Sequence, residues 1–240
     1  MPRNNKPWIS FNGRESTTLG AWVVSAPHFV VPAMRGKSGE IVGRGGDLFV
    51  TDGQPDTVEI KVTLRCQLSA LEAIRAWLFG GGLLVFSWSP NRAYEARIER
   101  RADIKMVVPG ENPIMQVEVT FLCQPFLRQY PEPAEFTISE SGATFINPGT
   151  APALPRFTIA GSGTFTVSIG GVTLGFTGIE DGIVVDSEAM EAVSLDGATL
   201  LNDHMNGTPW VVGPGSNTVE WDTSTGTVTG ITILPRWRYL

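Results

Sequence analysis

The sequence predicts a mainly β protein built from two domains, and three observations support this prediction. Apolar and polar residues alternate with a period of two over several segments, as in half-buried strands. In the second half of the chain, turn residues recur about every 8 to 12 positions, which is typical of a sandwich or jelly roll. A single segment near residue 70 combines a capping box with an apolar helical stripe, so we expect one α-helix.

The first half contains two strands of clear period, residues 56–64 and 115–123. Between them, Ser69 and Glu72 have the spacing of a capping box, and the glycines at 80–82 are expected to end the helix. The segments "LLVFSW" and "AYEARIER" then predict a hairpin that turns at Pro90-Asn91. The first domain is therefore expected to be a small β-barrel-like structure with one packed helix.

The second half reads as strands almost throughout. Short β-branched segments such as "RFTIA", "TFTVSI", "GIVVD" and "TVTGITIL" are separated by turn signals, among them Gly161-Ser162-Gly163 and Asp181-Gly182. A further short strand is expected at residues 135–139. This spacing predicts a β-sandwich.

Charge and proline content place the domain boundary. Residues 1–133 hold 15 Lys+Arg against 13 Asp+Glu, a balance of +2, and residues 134–240 hold 3 against 11, a balance of −8, which together give the net charge of −6. Six of the 17 prolines lie between residues 125 and 155. We therefore assign domains to residues 1–131 and 132–240.

Composition also limits the classes of function. The 42% apolar content can fill substantial cores, no apolar run is long enough to cross a membrane, and the N-terminus lacks a secretory signal, so we expect a soluble protein made in a cytoplasm. The lysine-free second half argues against specific nucleic-acid binding as a function, since phosphate neutralisation needs clustered cations. Cys66 and Cys123 lie in alternating apolar segments and are expected to be buried free thiols.

The glycine-rich segment from Met34 to Gly53 raises the question of phosphate binding because it contains Gly36-Lys37-Ser38. A P-loop needs glycine at position 31, where the chain has Val31, and a helix after the serine, where further glycines follow. The dinucleotide fingerprint fails too, since Leu48 stands where its third glycine belongs. The segment is better interpreted as a flexible or tightly turning connection between strands.

Candidate catalytic groups are few. Neither His28 nor His204 has the spacing of a metal site, and no serine lies in a nucleophile elbow. Glu180, Asp181 and Asp186 form a conceivable carboxylate set for glycoside cleavage, although Asp181-Gly182 is also a common turn. We predict no catalytic residue, no cofactor and no metal ion.

Tryptophans in the second half offer an alternative function. Trp210 and Trp221 lie in the β-rich acidic part of the chain, where exposed indole faces could stack on sugar rings. Packing in the core is the competing interpretation of both residues. A carbohydrate-binding β-sandwich that aids adsorption to a host surface therefore remains the alternative.

The order of features resembles the distal tail (Dit) proteins of long-tailed bacteriophages. The matching elements in the first half are "FNG", the loop "RGKSGEIVGRGGDL", the helix ending in "AWLFGGG", the strand "AYEARI" and the closing "VEVTFLCQPFLR". The continuation "FINPGTAPALPRFTIAGSGTFTVSIGG", with "IVVDSE" downstream, resembles their galectin-like β-sandwich. One departure is that Lys37 and Ser38 open the loop in place of a proline-led turn.

This resemblance implies a structural role at the distal end of the phage tail. Six copies would form a ring between the tail tube protein and the tail-associated, tip hub and fibre proteins, with assembly in the host cytoplasm and no membrane insertion. The glycine-rich segment is then expected to be an arm between subunits. Its proposed contact residues are Arg35, Gly36, Gly39, Gly43, Arg44, Gly45, Gly46 and Asp47.

A second basic segment is expected at the same kind of contact. In a ring through which DNA passes, exposed cations would hold the phosphates, so the cluster Arg97, Arg100, Arg101 and Lys105 is expected in subunit or tube contacts. Three functions remain open from the sequence, in this order: a structural hub, a sugar-binding module and a hydrolase of cell-wall glycans.

Overall fold

The computed structural model describes residues 6–25, 27–43 and 45–240, without the side chain of Ser224, and confirms a mainly β protein. The chain forms two compact units, of which the first runs to Leu127 and includes Leu240, and the second covers Arg128–Tyr239. The units divide inside a strand, four residues before the boundary that the sequence assigns after residue 131.

The first unit contains one α-helix and ten strands among its described residues. They are β1 (Ile9–Phe11), β2 (Arg14–Glu15), β3 (Ala21–Ser25), β4 (Met34–Glu40), β5 (Asp47–Pro55), β6 (Val58–Gln67), α1 (Leu71–Trp77), β7 (Gly81–Phe86), β8 (Ser89–Arg97), β9 (Asp103–Val108) and β10 (Ile114–Gln129). The main sheet has the order β2-β1-β7-β8-β10-β6-β3, with β9 also paired to β10, whereas β4 and β5 form a separate two-stranded sheet.

The core of the first unit lies on the inward faces of β6 and β10, as their alternation predicts. The two strands pair antiparallel over ten residues, from Val58 opposite Cys123 to Gln67 opposite Ile114. Every second residue is buried, including both free cysteines. Burial raises the pKa of the Cys123 thiol to about 12. The predicted buried free thiols are therefore confirmed.

The helix is where predicted, but the capping box is wrong. Ser69 lies inside a 3-10 turn, Leu68–Ala70, that leads into α1, and Ala70 is the N-cap without a side-chain hydrogen bond. A serine that is already helical cannot adopt the extended backbone of an N-cap. The helix ends at Trp77, whose Nε1–H donates to the Phe11 carbonyl at 2.9 Å. Of the three glycines only Gly80 is left-handed, since the next two begin β7.

The hairpin β7–β8 is confirmed, but its turn lies at Ser87-Trp88 and not at Pro90-Asn91. Phe86 pairs with Ser89 across this two-residue turn. The turn is tied to the start of the sheet, because the Ser87 N–H donates to the Trp8 carbonyl at 3.0 Å and the Trp8 N–H donates to the Ser87 hydroxyl at 3.2 Å. These tertiary bonds outweigh the local turn preference of Pro-Asn.

The second unit contains nine further strands. They are β11 (Phe136–Ile138), β12 (Ala143–Asn147), β13 (Arg156–Ile169), β14 (Val172–Ile179), β15 (Ile183–Asp186), β16 (Glu191–Val193), β17 (Met205–Asn206), β18 (Gly215–Leu234) and β19 (Arg238–Tyr239). The expected strand near residues 135–139 corresponds to β11.

Two long strands, β13 and β18, each belong to both layers of this unit. The first residues of β13 pair with β15 and with the end of β18, which also pairs with β11. The last residues of β13 pair with β14 and with the start of β18, which also pairs with β12. Trp210 packs in the core between Phe157 at 5.0 Å and Phe176 at 6.1 Å, one from each part. The arrangement is a β-sandwich.

The predicted turn at Gly161-Ser162-Gly163 is wrong, because these residues lie inside β13. They form the corner where β13 and β18 pass from one layer to the other, with bulges on either side. A Cβ on Gly161 would lie 2.2 Å from the Thr227 carbonyl oxygen, and a Cβ on Gly226 would lie 2.6 Å from the Ser162 carbonyl oxygen. Glycine thus marks a close approach of two backbones here instead of a chain reversal.

Candidate functional site

The glycine-rich segment of the first unit is a β-hairpin that stands apart from the main sheet. Strands β4 and β5 pair from Met34 opposite Pro55 to Glu40 opposite Asp47, with an irregularity near Gly36. Neither strand pairs with another strand among the described residues. We call residues 34–55 the arm.

An ion pair and a hydroxyl hold the base of the arm together. The Arg35 guanidinium binds the Asp52 carboxylate, with Nε at 2.9 Å from Oδ2. This contact, helped by the Gln54 N–H, lowers the pKa of Asp52. The Thr51 hydroxyl donates to the Arg35 carbonyl at 2.6 Å. These bonds join the two strands near the end of the arm that leads into β6.

Gly36 is required by close packing within the arm. A Cβ at this position would lie 2.5 Å from the Phe49 ring and 2.6 Å from the Val50 carbonyl oxygen. The Phe49 ring therefore covers the glycine of the opposite strand, an arrangement that compensates for the missing side chain of a strand glycine. A side chain at residue 36 would displace either the ring or the backbone of β5.

The arm exposes apolar side chains on both of its faces. Because neighbouring strand residues point to opposite sides, Phe49 lies on one face and Leu48 and Val50 on the other. Phe49 is 49% exposed and Val50 is 63% exposed. The face of Leu48 and Val50 lines an open groove of about 740 Å³ that ends at Ile41. Exposed apolar side chains grouped in this way are typical of surfaces that contact a partner.

The structure places the predicted arm residues as follows. Arg35, Gly36 and Gly39 lie in β4, Gly43, Gly45 and Gly46 lie in the connection, and Asp47 begins β5; Arg44 lies outside the described residues. Gly43 and Gly46 have positive φ, 85° and 80°, as a tight turn requires. The interpretation as a tightly turning connection between strands therefore holds only for the residues between β4 and β5, because the residues on either side of them form these two strands.

The apolar residues of the arm were not among those predicted from the sequence. The predicted residues are glycines and charged residues, whereas the exposed large side chains are Met34, Ile41, Val42, Leu48, Phe49 and Val50. A signal was present in the β-branched and aromatic residues that follow Asp47. The glycines on either side of these residues favoured the interpretation of the segment as a turn over that of a strand.

The candidate carboxylates for glycoside cleavage do not form one site. The two terminal nitrogens of Arg236 donate hydrogen bonds to the two carboxylate oxygens of Asp186, at 2.7 and 2.9 Å. Burial raises the pKa of Asp186, but Arg236 and the N–H groups of Ala189 and Glu188 outweigh burial, so the pKa is lowered overall. Such a carboxylate is a poor proton donor.

Glu180 and Asp181 lie elsewhere, at the turn between β14 and β15. They line an open cavity of about 460 Å³ in the second unit, together with Asp196 and His204. Nδ1 of His204 is 2.7 Å from the Thr177 carbonyl. Among the described residues, no group of three His, Cys, Asp or Glu side chains has an arrangement that could hold a metal ion.

The two tryptophans proposed for sugar stacking differ in exposure. Trp210 is 1% exposed and its Nε1–H donates to the Val172 carbonyl at 2.8 Å, so its face cannot receive a sugar and the proposed role of Trp210 is wrong. Trp221 is half-buried in β18, where it lies opposite Val167 of β13. A role of Trp221 in sugar binding stays a prediction.

Comparison with solved structures identifies the fold. The chain superposes on the crystal structure of the SPP1 Dit (gp 19.1) protein, described as a paradigm of the hub adsorption apparatus in phages that infect Gram-positive bacteria. The TM-score is 0.73, over 98% of this chain and 99% of that chain, at 16% sequence identity. This chain has the Dit fold. The resemblance inferred from the order of its motifs is confirmed at the level of fold.

Comparison of sequences alone does not identify this fold. No protein-family model matches the chain, and no curated protein sequence matches it. The two chains share a fold at 16% identity, as is possible when hydrophobic patterning and residue volume are enough to specify a fold. In the described part of the chain, no helix is long and apolar enough to cross a membrane.

Proposed function

We propose that this protein is a structural component of a phage virion, a hub at the distal end of the tail. Six copies assemble into a ring that joins the tail tube to the tail tip or baseplate and to the receptor-binding apparatus. Its partners are other copies of itself, the tail tube protein and the tip hub and fibre proteins. It acts by assembly instead of catalysis, and it assembles in the host cytoplasm.

The observation that carries this proposal is the arm with its exposed apolar faces. A ring is built from one heterologous contact, in which a surface of each subunit meets a different surface of the next. The arm is such a surface, since it stands apart from the main sheet and exposes apolar residues on both sides. The Dit fold of the whole chain supports the same conclusion.

The length of the arm suits a contact between subunits. Each strand of the arm, with its share of the turn, is about ten residues long, which gives a reach of roughly 33 Å at about 3.3 Å per residue. A compact unit of this size has a radius of gyration of about 14 Å. The arm is therefore long enough to extend over much of a neighbouring first unit.

Replacing Val50 by aspartate tests the proposal. Val50 is 63% exposed in the monomer, so Val50→Asp should leave each chain folded, but a carboxylate buried in the contact should weaken assembly at least about tenfold. Native mass spectrometry over a range of protein concentrations measures the assembled fraction, and sixfold particles in negative-stain images establish the stoichiometry.

The matched control is Val211→Asp in the second unit, an exposed valine outside any strand. It should leave the assembled fraction unchanged. A wild-type protein that stays monomeric at all concentrations, or a Val50→Asp variant that forms full rings, would contradict the proposed function.

A further inference from the structure

The end of the arm places two carboxylates opposite each other. Glu40 is the last residue of β4 and Asp47 the first of β5, and they are direct cross-strand partners. Like charges in this position destabilise a strand pair. Neither carboxylate forms an ion pair with another of the described residues, and the turn between them contains one basic residue, Arg44, that lies outside these residues. The arm therefore ends in an acidic pair that a cationic surface would stabilise.

The outward face of the main sheet in the same unit is such a surface. We call the outward-facing residues of β3, β6, β10 and β9, with Lys6 beside them, the basic face. Its cations outnumber its carboxylates, with Lys6, Lys61, Arg65 and Lys105 against Glu59, Asp103 and Glu118.

Glu118 shows how strongly positive the middle of this face is. Its carboxylate accepts hydrogen bonds from Lys61 and Lys105, each at 3.0 Å, and from Gln116 at 3.0 Å. These contacts, led by that of Lys61, lower the pKa of Glu118 to about 2. One carboxylate thus binds two ammonium groups, which together carry one positive charge more than Glu118 neutralises.

The basic face also offers apolar contact beside its charges. Trp22 of β3 pairs with Arg65 of β6, and the Lys6 ammonium lies 3.9 Å from the centre of the Trp22 ring. Val24 of the same strand is exposed. An arm that brings carboxylates to this face can therefore also bury its Leu48 and Val50 side chains there.

We propose that the arm of one copy docks on the basic face of a second copy, with Glu40 and Asp47 directed at Lys61 and Arg65. This inference rests on the proposed ring and names the surface that receives the arm. Each copy then uses two different surfaces, the arm and the basic face, as a closed heterologous ring requires. The complementary charges fix which part of the neighbour the arm meets.

A mixing experiment with charge-reversed variants tests this contact. The arm variant carries Glu40→Lys and Asp47→Lys, and the face variant carries Lys61→Glu and Arg65→Glu. Each alone should lose assembly at least about tenfold, because like charges then meet at every contact. Mixed one to one, the two variants should assemble again in alternation. The lysines on the arm of the arm variant then meet the glutamates on the face of the face variant, and the native arm of the face variant meets the native face of the arm variant.

Neutral substitutions and a distant charge reversal complete the design. The double variant Lys61→Gln, Arg65→Gln should weaken assembly less than charge reversal at these residues does. It should also stay folded even if the charge-reversed variant, with a glutamate beside Glu118, does not. Glu140→Lys, at an exposed carboxylate of the second unit, should leave assembly unchanged. Recovery in the mixture would itself show that both reversed chains fold.

Different failures are distinguishable. If Val50→Asp blocks assembly but the arm and face variants each assemble alone, the proposed ring is supported and the basic face is not its receiving surface. The same conclusion follows if Val50→Asp blocks assembly and the two variants do not assemble when mixed. If the face variants keep full assembly but lose binding to a double-stranded DNA fragment, the face binds phosphate and the inference is overturned. If wild-type protein does not assemble, the proposed function itself fails.

Discussion

At the scale of single residues, two carboxylates, one in each unit, are held ionised by neighbouring cations. On the basic face, Glu118 is held ionised by Lys61 and Lys105, whereas in the second unit Asp186 is held by Arg236 in a bidentate pair. The two carboxylates differ in their surroundings. Asp186 forms a half-buried ion pair inside its own unit, and Glu118 binds two ammonium groups on an exposed surface.

Glu118 gives the unfolding of the first unit a specific dependence on acid. Its folded pKa, about 2, lies below its ordinary value of 4.5, so its contribution to the free energy of unfolding is full above pH 4.5 and is lost as the pH falls from there to about 2. We expect Glu118→Gln to lower stability above pH 5 and to match wild type near pH 2. Urea unfolding at a series of pH values measures this difference.

The comparison for Glu118 is Glu140→Gln, an exposed carboxylate of the second unit. It should produce a much smaller difference over the same range. A constant difference between wild type and Glu118→Gln down to pH 2 would show that the residue acts by packing and not by charge.

At the scale of elements, glycine has two different roles in this protein. In the arm, Gly36 lies under the Phe49 ring, and at the sandwich corner Gly161 lies against the Thr227 backbone. In both places a side chain would collide with a paired strand. Gly39, also in β4, has no atom within 4 Å of a Cβ position, so its lack of a side chain is not required by packing.

This difference within β4 predicts unequal effects of alanine. Gly36→Ala should distort the arm at a cost of about 1–3 kcal/mol per subunit and raise the concentration for half-assembly about tenfold or more. Gly39→Ala, in the same strand, should change this concentration little. Concentration-dependent light scattering measures both, and equal effects of the two variants would contradict the packing argument.

At the scale of the whole molecule, the proposed assembly surfaces and the core of the second unit belong to different units. The arm and the basic face both belong to the first unit, whereas the second unit is a sandwich with its own core around Trp210. Assembly should therefore change the first unit and leave the folding of the second unit unaffected.

Hydrogen exchange with mass spectrometry tests this division in the full chain. When wild-type protein is diluted through its assembly midpoint, peptides of residues 34–55 and the basic-face strands should lose protection. The strands β13 and β18 should keep theirs, because their hydrogen bonds lie within one unit. Loss of protection confined to the second unit would place the subunit contact there instead.

The sequence by itself determined the strands whose pattern is purely local. The alternation in β6 and β10 predicted their buried faces and both free thiols, since a period of two assigns side chains to a face without knowledge of the partner strand. The order of short motifs was enough to indicate the Dit fold, which a structural match then confirmed.

Only the tertiary structure decided what the glycines and turn residues do. Gly161 to Gly163 read as a turn but form a corner between layers, Pro90-Asn91 lies in a strand, and the arm is a hairpin with apolar faces. The physical reason is that glycine permits a turn, a bulge and a close approach alike, and the neighbouring backbone selects among them. Such neighbours are distant in sequence, so local patterns cannot identify them.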